Sequence, residues 1–270
     1  MQAIGSGYQN FNSYNNYPNF GNNYASARQN SPEDASVQNF AISAGGLGLA
    51  SVLINKLSQF LAFKMSSGKE FTSEENVHKV ANQMLDKNGL KDKVAVGYLN
   101  QQNKSQYINA CGSGWADSFE TVARGDNAFY ADGLKLAVAP EAKPSLMLHE
   151  LGHAINSSKG KFMQFLQKSR GWATGVPTAL LVLNGVLGKD KDGKKNFVEK
   201  NAGLIGFSAF LPTIIEEGMA SVRGIKAAAA ANLGKSANLN VLKRNYALAW
   251  GTYVLAGVGL GLAAKQSVTN

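Results

Sequence analysis

Apolar positions along the chain follow two regimes. In the first they recur at a period. Val77, Val80, Ala81, Met84 and Leu85 fall at i, i+3, i+4, i+7 and i+8, the spacing of a helix that buries one face. Thr72 and Glu75 ahead of them read as a capping box, and Gly89 as the helix stop. Residues 94–99 read as a strand. Residues 129–139 read as a second, with Leu134, Leu136 and Val138 alternating and Pro140 ending it. A helix is then expected from about 141 to 158, with Pro144 in its first turn. The polar, Gly-rich segment 100–126 reads as loop.

In the second regime apolar residues run on without a charge. Four such stretches, 35–55, 171–188, 201–215 and 245–264, hold 21, 18, 15 and 20 residues. A bilayer core takes about 20 helical residues, with a range of about 17–25. The stretches at 171–188 and 245–264 meet that length. The one at 201–215 reaches it with Phe197 and Val198 if Lys200 snorkels. The stretch at 35–55, with small residues from Ala44 to Ala50, suits either a span or a buried helix. Trp172, Trp250 and Tyr253 suit membrane interfaces. The expectation is an integral membrane protein; a larger soluble core of Gly/Ala-rich helices is the alternative.

Composition sharpens this reading. Of 270 residues 27 are Lys or Arg and 18 are Asp or Glu, a net charge of +9. The basic residues are scattered around apolar runs and form no stripe, so nucleic acid is not an expected partner. A single Cys excludes a disulfide framework and a cysteine zinc site. Residues 1–30 hold eight Asn, four Tyr and one charge, Arg28, the composition of a disordered tail. The first residues lack a basic stretch and an apolar core, so no cleavable signal is expected. Ser31-Pro32-Glu33-Asp34 reads as a helix start.

Candidate chemistry sits in His149-Glu150-Leu151-Gly152-His153. Residues four apart share a helix face, so His149 and His153 can grip one zinc ion. Glu150 lies one residue on, about 100° around, where it can serve as the general base toward water. His78, the remaining histidine, reads as an ordinary surface or core residue. A catalytic zinc takes a third protein ligand and keeps one position open. Two candidates are adjacent. Thr213 and Glu216 form a capping box, which gives Glu216 a structural task. Glu217, Ala220, Ser221 and Gly224 share one helix face of small residues against which the His149 helix could lie. Glu217 is therefore the favoured ligand, with Glu216 the alternative. Two uncharged stretches separate His153 from Glu217; a pair of spans returns the chain to the membrane face it left, which keeps the site whole.

These residues carry a resemblance. Asn127-Ala128-Phe129 with the strand from Leu134 to Val138, the His149–His153 motif, the two apolar stretches and Glu217-Gly218-Met219-Ala220 together resemble the membrane-embedded gluzincin peptidases, the family of the CAAX prenyl protease and the heat-shock protease HtpX. The resemblance spans about residues 72–225. It implies a mainly α fold with a small β-sheet (α+β), with a transmembrane helical hairpin inserted between the His149 helix and the third-ligand helix. It also implies one Zn2+ per chain on His149, His153 and Glu217, and an extended polypeptide substrate added along the strand from Leu134 to Val138. The activity implied is a zinc metalloendopeptidase acting on membrane-associated or misfolded polypeptides. Ser221 stands where the family carries Asp, and no fourth His is present to stabilise an oxyanion; Arg223, Arg244 and Tyr246 remain candidates for that task. An inactive membrane-bound binding or assembly module is the alternative that Ser221 leaves open.

The expected organisation is a tail at 1–30, an apolar helix and candidate span at 31–66, a peptidase domain at 67–244 with an apolar hairpin at 171–215, and a spanning helix at 245–270. Nine basic residues flank the zinc side, from Lys159 to Arg244, against five lysines in the 189–200 loop. By the positive-inside rule the zinc site faces the cytoplasm, in a plasma or inner membrane.

Overall fold

The computed structural model describes Lys56, Leu57, Phe60, Leu61, residues 68–187 and residues 195–269. The expected tail, the helix start at 31–34 and the uncharged stretch at 35–55 lie outside the described residues. Within them the chain is mainly helical with one three-stranded mixed sheet, an α+β arrangement.

The first helix, α1 (Glu74–Lys87), buries the five periodic residues. Its cap is Ser73, one residue later than expected, because the Thr72 hydroxyl is drawn into a bond to the distant Ser236 carbonyl at 3.0 Å. Gly89 follows at φ +64°, a conformation a side chain would strain. Strand β1 (Ala95–Leu99) matches the reading. The second expected strand breaks in two. β2 (Phe129–Ala131) and β3 (Leu136–Pro140) pair as an antiparallel hairpin. Leu134 belongs to its turn, and Lys135 takes φ +50° while its ammonium meets the Asp132 carboxylate at 2.6 Å. Pro140 is the last strand residue.

β3 is the middle strand, parallel to β1 and antiparallel to β2. Both of its sides are already paired. The expected seat for a substrate strand from Leu134 to Val138 therefore has no open edge, and the sheet's outer strands are β1 and β2. Alternate β3 residues serve two cores. Ala137 and Ala139 pack with α1 and the helix after β3. Leu136 and Val138 pack with Phe119, Val122 and Phe129 on the other face.

Residues 100–126 are helical rather than loop: α2 (Lys104–Cys111), a 3-10 turn and α3 (Ala116–Ala123). α2 buries no residue fully, so its sequence carries no apolar period to read. α3 buries Ser118, Phe119 and Val122, too few apolar positions to make a pattern.

Helix α4 (Leu146–Ser158) starts five residues later than expected, after Pro144 rather than around it. Its first turn is held from two distant places. The Glu70 carboxylate accepts from the Ser145 backbone N–H at 3.3 Å and from its hydroxyl at 3.1 Å. The Tyr246 hydroxyl donates to the Ser145 carbonyl at 2.7 Å. Burial nevertheless holds the Glu70 carboxyl above the usual carboxylate range, against the pull of the Ser145 bonds and Lys143.

Helices α5 (Gly160–Lys168), α6 (Val176–Leu187), α7 (Phe197–Ala230) and α8 (Leu239–Thr269) follow, with a 3-10 turn at Ser169–Gly175. α7 is one continuous helix that runs through Pro212, so no helix begins at Thr213. Proline deprives the ladder of one N–H. Packing along α8 keeps the helix in one piece, and the Trp250 indole donates to the Ile214 carbonyl at 2.9 Å, two residues past the proline. The two helices approach closely through glycine: a Cβ on Gly206 would stand 2.6 Å from that of Ala264, and one on Gly261 2.7 Å from the Gly203 carbonyl. Among the described residues one helix, within Gly234–Val268, is long and apolar enough to cross a membrane. α6 has 12 residues, about 18 Å at 1.5 Å each, and alone falls short of a span.

Candidate metal centre

α4 presents His149 and His153 one turn apart, and α7 crosses it to bring Glu217 alongside. The crossing is tight because small residues meet there. A Cβ on Gly152 would stand 2.7 Å from the Ala220 Cα, and one on Gly224 3.0 Å from the Leu148 carbonyl oxygen. The small face of Glu217, Ala220, Ser221 and Gly224 does lie on the His149 helix.

Three donor atoms converge. The two Nε2 atoms are 3.0 Å apart. Glu217 Oε2 is 3.1 Å from His149 Nε2 and 3.5 Å from His153 Nε2. A tetrahedral zinc with bonds of about 2.0–2.1 Å has ligand-to-ligand edges of about 3.3 Å. The observed separations bracket that value. His149, His153 and Glu217 are a group able to hold a metal ion, as expected from the motif. Glu217 is fully buried and the His149 side chain is 13% exposed, so the centre opens toward solvent on the His149 side. Glu150, adjacent to His149 on α4, is buried as well.

The outer nitrogens are held too. His153 Nδ1 lies 2.8 Å from Glu216 Oε1, and His149 Nδ1 lies 3.1 Å from the Ser221 hydroxyl. A carboxylate accepts only, so His153 donates from Nδ1 and turns a bare Nε2 lone pair inward. The Ser221 hydroxyl can accept from His149 Nδ1 in the same way. With both imidazoles in that tautomer, two ring lone pairs and a carboxylate oxygen point at one spot, the donor set that a metal cation takes. Two buried carboxyl groups, Glu216 and Glu217, adjoin this spot. Two imidazoles and a carboxylate suit zinc.

Glu216 is thus part of the centre and not a helix cap. Its Oε1 also accepts from Asn156 Nδ2 at 2.8 Å and from Gln167 Nε2 at 3.3 Å. Gln167 reaches the His153 carbonyl at 2.9 Å, and Arg223 Nε donates to Asn156 Oδ1 at 2.6 Å. Sequence reasoning passed over Asn156 and Gln167. Asn156 carried a signal, since it falls at i+7 from His149 and i+3 from His153 on one stripe. Gln167 carried none. Of the three expected oxyanion donors, Arg223 is committed to Asn156, Tyr246 gives its proton to Ser145 while its ring packs 5.5 Å from His149, and Arg244 is exposed. His78 stands apart from the centre, 4.3 Å from the Tyr98 ring and 3.5 Å from Glu74.

Set against known protein families, curated proteins and solved structures, the chain matches none of them.

Proposed function

We propose that the chain is a zinc-dependent endopeptidase of the gluzincin type, anchored in a membrane. The observation that supports this most is the convergence of His149 Nε2, His153 Nε2 and Glu217 Oε2, with both imidazoles oriented from behind. His149, His153 and Glu217 would hold the zinc, which when bound would acidify water and polarise a peptide carbonyl. Glu150 takes a proton from water and passes it to the leaving amine. The polypeptide substrate, membrane-associated or misfolded, adds as a strand to an outer edge of the sheet, at β2 rather than along β3. α8 is the proposed span, and the basic residues on the side of the centre, from Lys159 to Arg244, support a cytoplasmic orientation.

The test pairs metal content with turnover on purified full-length protein. Wild type should carry one zinc per chain, and Glu217→Ala should lose most of it. Glu150→Gln should keep zinc and lose hydrolysis of a denatured protein substrate by at least 100-fold. A wild type without zinc, or undiminished cleavage by Glu150→Gln, would overturn the reading. The neutral Ser221 favours one alternative, a metal-holding but inactive binding module; zinc present with no turnover on any denatured protein would select it.

A further inference from the structure

The segment that leaves the metal helix has two unlike faces. In α5, Met163 and Leu166 turn into the protein, while Phe162 and Phe165 remain 67% and 49% exposed. Trp172 in the following turn is 67% exposed, and its ring meets that of Phe165 at 5.9 Å, so the aromatics form one patch. In α6, which follows, Leu181, Val182 and Val186 are exposed as well. Exposed Lys159, Lys161 and Lys168 flank it. No Asp or Glu occurs from Leu151 to Gly188.

We propose that α5 and the turn after it are a membrane contact in their own right, seated in the headgroup layer of an anionic leaflet. This rests on the reading that α8 anchors the chain in a membrane. An apolar aromatic face rimmed by cations of one sign fits a negatively charged lipid surface. A second copy of this chain would bring the same positive rim to the contact and be repelled, so lipid is the occupant. On its protein side α5 is tied to the metal centre, because Gln167 bonds both the His153 carbonyl and Glu216. Seating α5 in the leaflet therefore fixes the metal centre at the membrane surface, where a lipid-borne polypeptide meets it.

The full-length chain in lipid nanodiscs tests this. With Cys111→Ser, an environment-sensitive fluorophore is attached at Phe165→Cys or, separately, at Phe162→Cys; an exposed α2 position, Ser105→Cys, is the reference. Retained zinc content verifies the fold of each variant. In discs with anionic lipid the Phe165 and Phe162 labels should shift to the blue and be quenched at least twofold more than the Ser105 label by nitroxide-bearing lipid. Neutral discs, or Lys161→Glu with Lys168→Glu, should weaken that quenching. Labels at 162 and 165 as watery as the one at 105, in a chain that stays in the disc, would overturn the inference and leave the α8 anchor standing. A chain that leaves the disc without detergent would overturn the anchor as well. Shielding that rises with protein concentration and not with lipid would assign the patch to a second copy and overturn the lipid contact.

Discussion

Each imidazole of the metal pair leans on a different acceptor, and the difference is chemical as well as positional. His153 has a buried carboxylate behind it, Glu216, whose Oε1 takes three hydrogen bonds. His149 has a neutral hydroxyl, Ser221. A charged acceptor makes the imidazole more basic and holds its tautomer more firmly than a hydroxyl does. Glu216→Ala should thus lower zinc affinity by about 10–100-fold, while Ser221→Ala should lower it only a few-fold. Glu216→Gln keeps an oxygen facing His153 and should fall between wild type and Glu216→Ala. Competition with a chromophoric chelator measures all three; equal affinities for Glu216→Ala and wild type would remove Glu216 from the centre. At this scale the sequence was informative about ligands and poor on their supports. His149, Glu150 and His153 announce themselves by helical spacing. The link between Glu216 and His153 spans 63 residues of chain, and nothing local to either encodes it.

Helices that cross at glycine are sensitive to a single methyl group. Gly152 sits where α4 and α7 touch, and its missing Cβ is the gap into which Ala220 fits. Gly152→Ala should destabilise the fold by about 1–3 kcal/mol through overpacking. It should also loosen zinc, because the same crossing sets the distance from the histidines to Glu217. Gly259→Ala in α8 meets nothing within 4 Å and should raise stability by about 1 kcal/mol through helix propensity alone. Thermal midpoints of the two variants, read side by side, check both signs. Long helices with a strong period, such as α1, were legible in advance. The short ones, α2 and α3, were not, since eight residues contribute too few buried positions to make a pattern. The β2–β3 hairpin was read as one strand because the alternation of Leu134, Leu136 and Val138 outweighed the Asp132-Gly133 turn signal; Leu134 in fact belongs to the turn.

On the proposed reading, a metal held by His149, His153 and Glu217 would clasp α4 to α7. Chelation at neutral pH should lower the thermal midpoint by about 5–10 °C, the size expected when a ligand present at about 100 times its dissociation constant is withdrawn from a chain of this length. Glu217→Ala should show no such drop, having lost the clasp already. An unchanged wild-type midpoint on chelation would mean that the crossing is held by packing alone.

What the sequence determined by itself was local: the helical spacing of His149 and His153, the carboxyl of Glu150 beside them, the small-residue face that lets α7 come close, and the uncharged runs. These follow from periodicity and side-chain size, properties of neighbouring residues. The tertiary structure decided which side chains stand behind the ligands, that β3 is enclosed on both sides, and that α7 carries apolar run and ligand on one continuous helix past Pro212. Those outcomes depend on contacts between segments far apart in the chain, whose energies outweigh local preference where packing is dense.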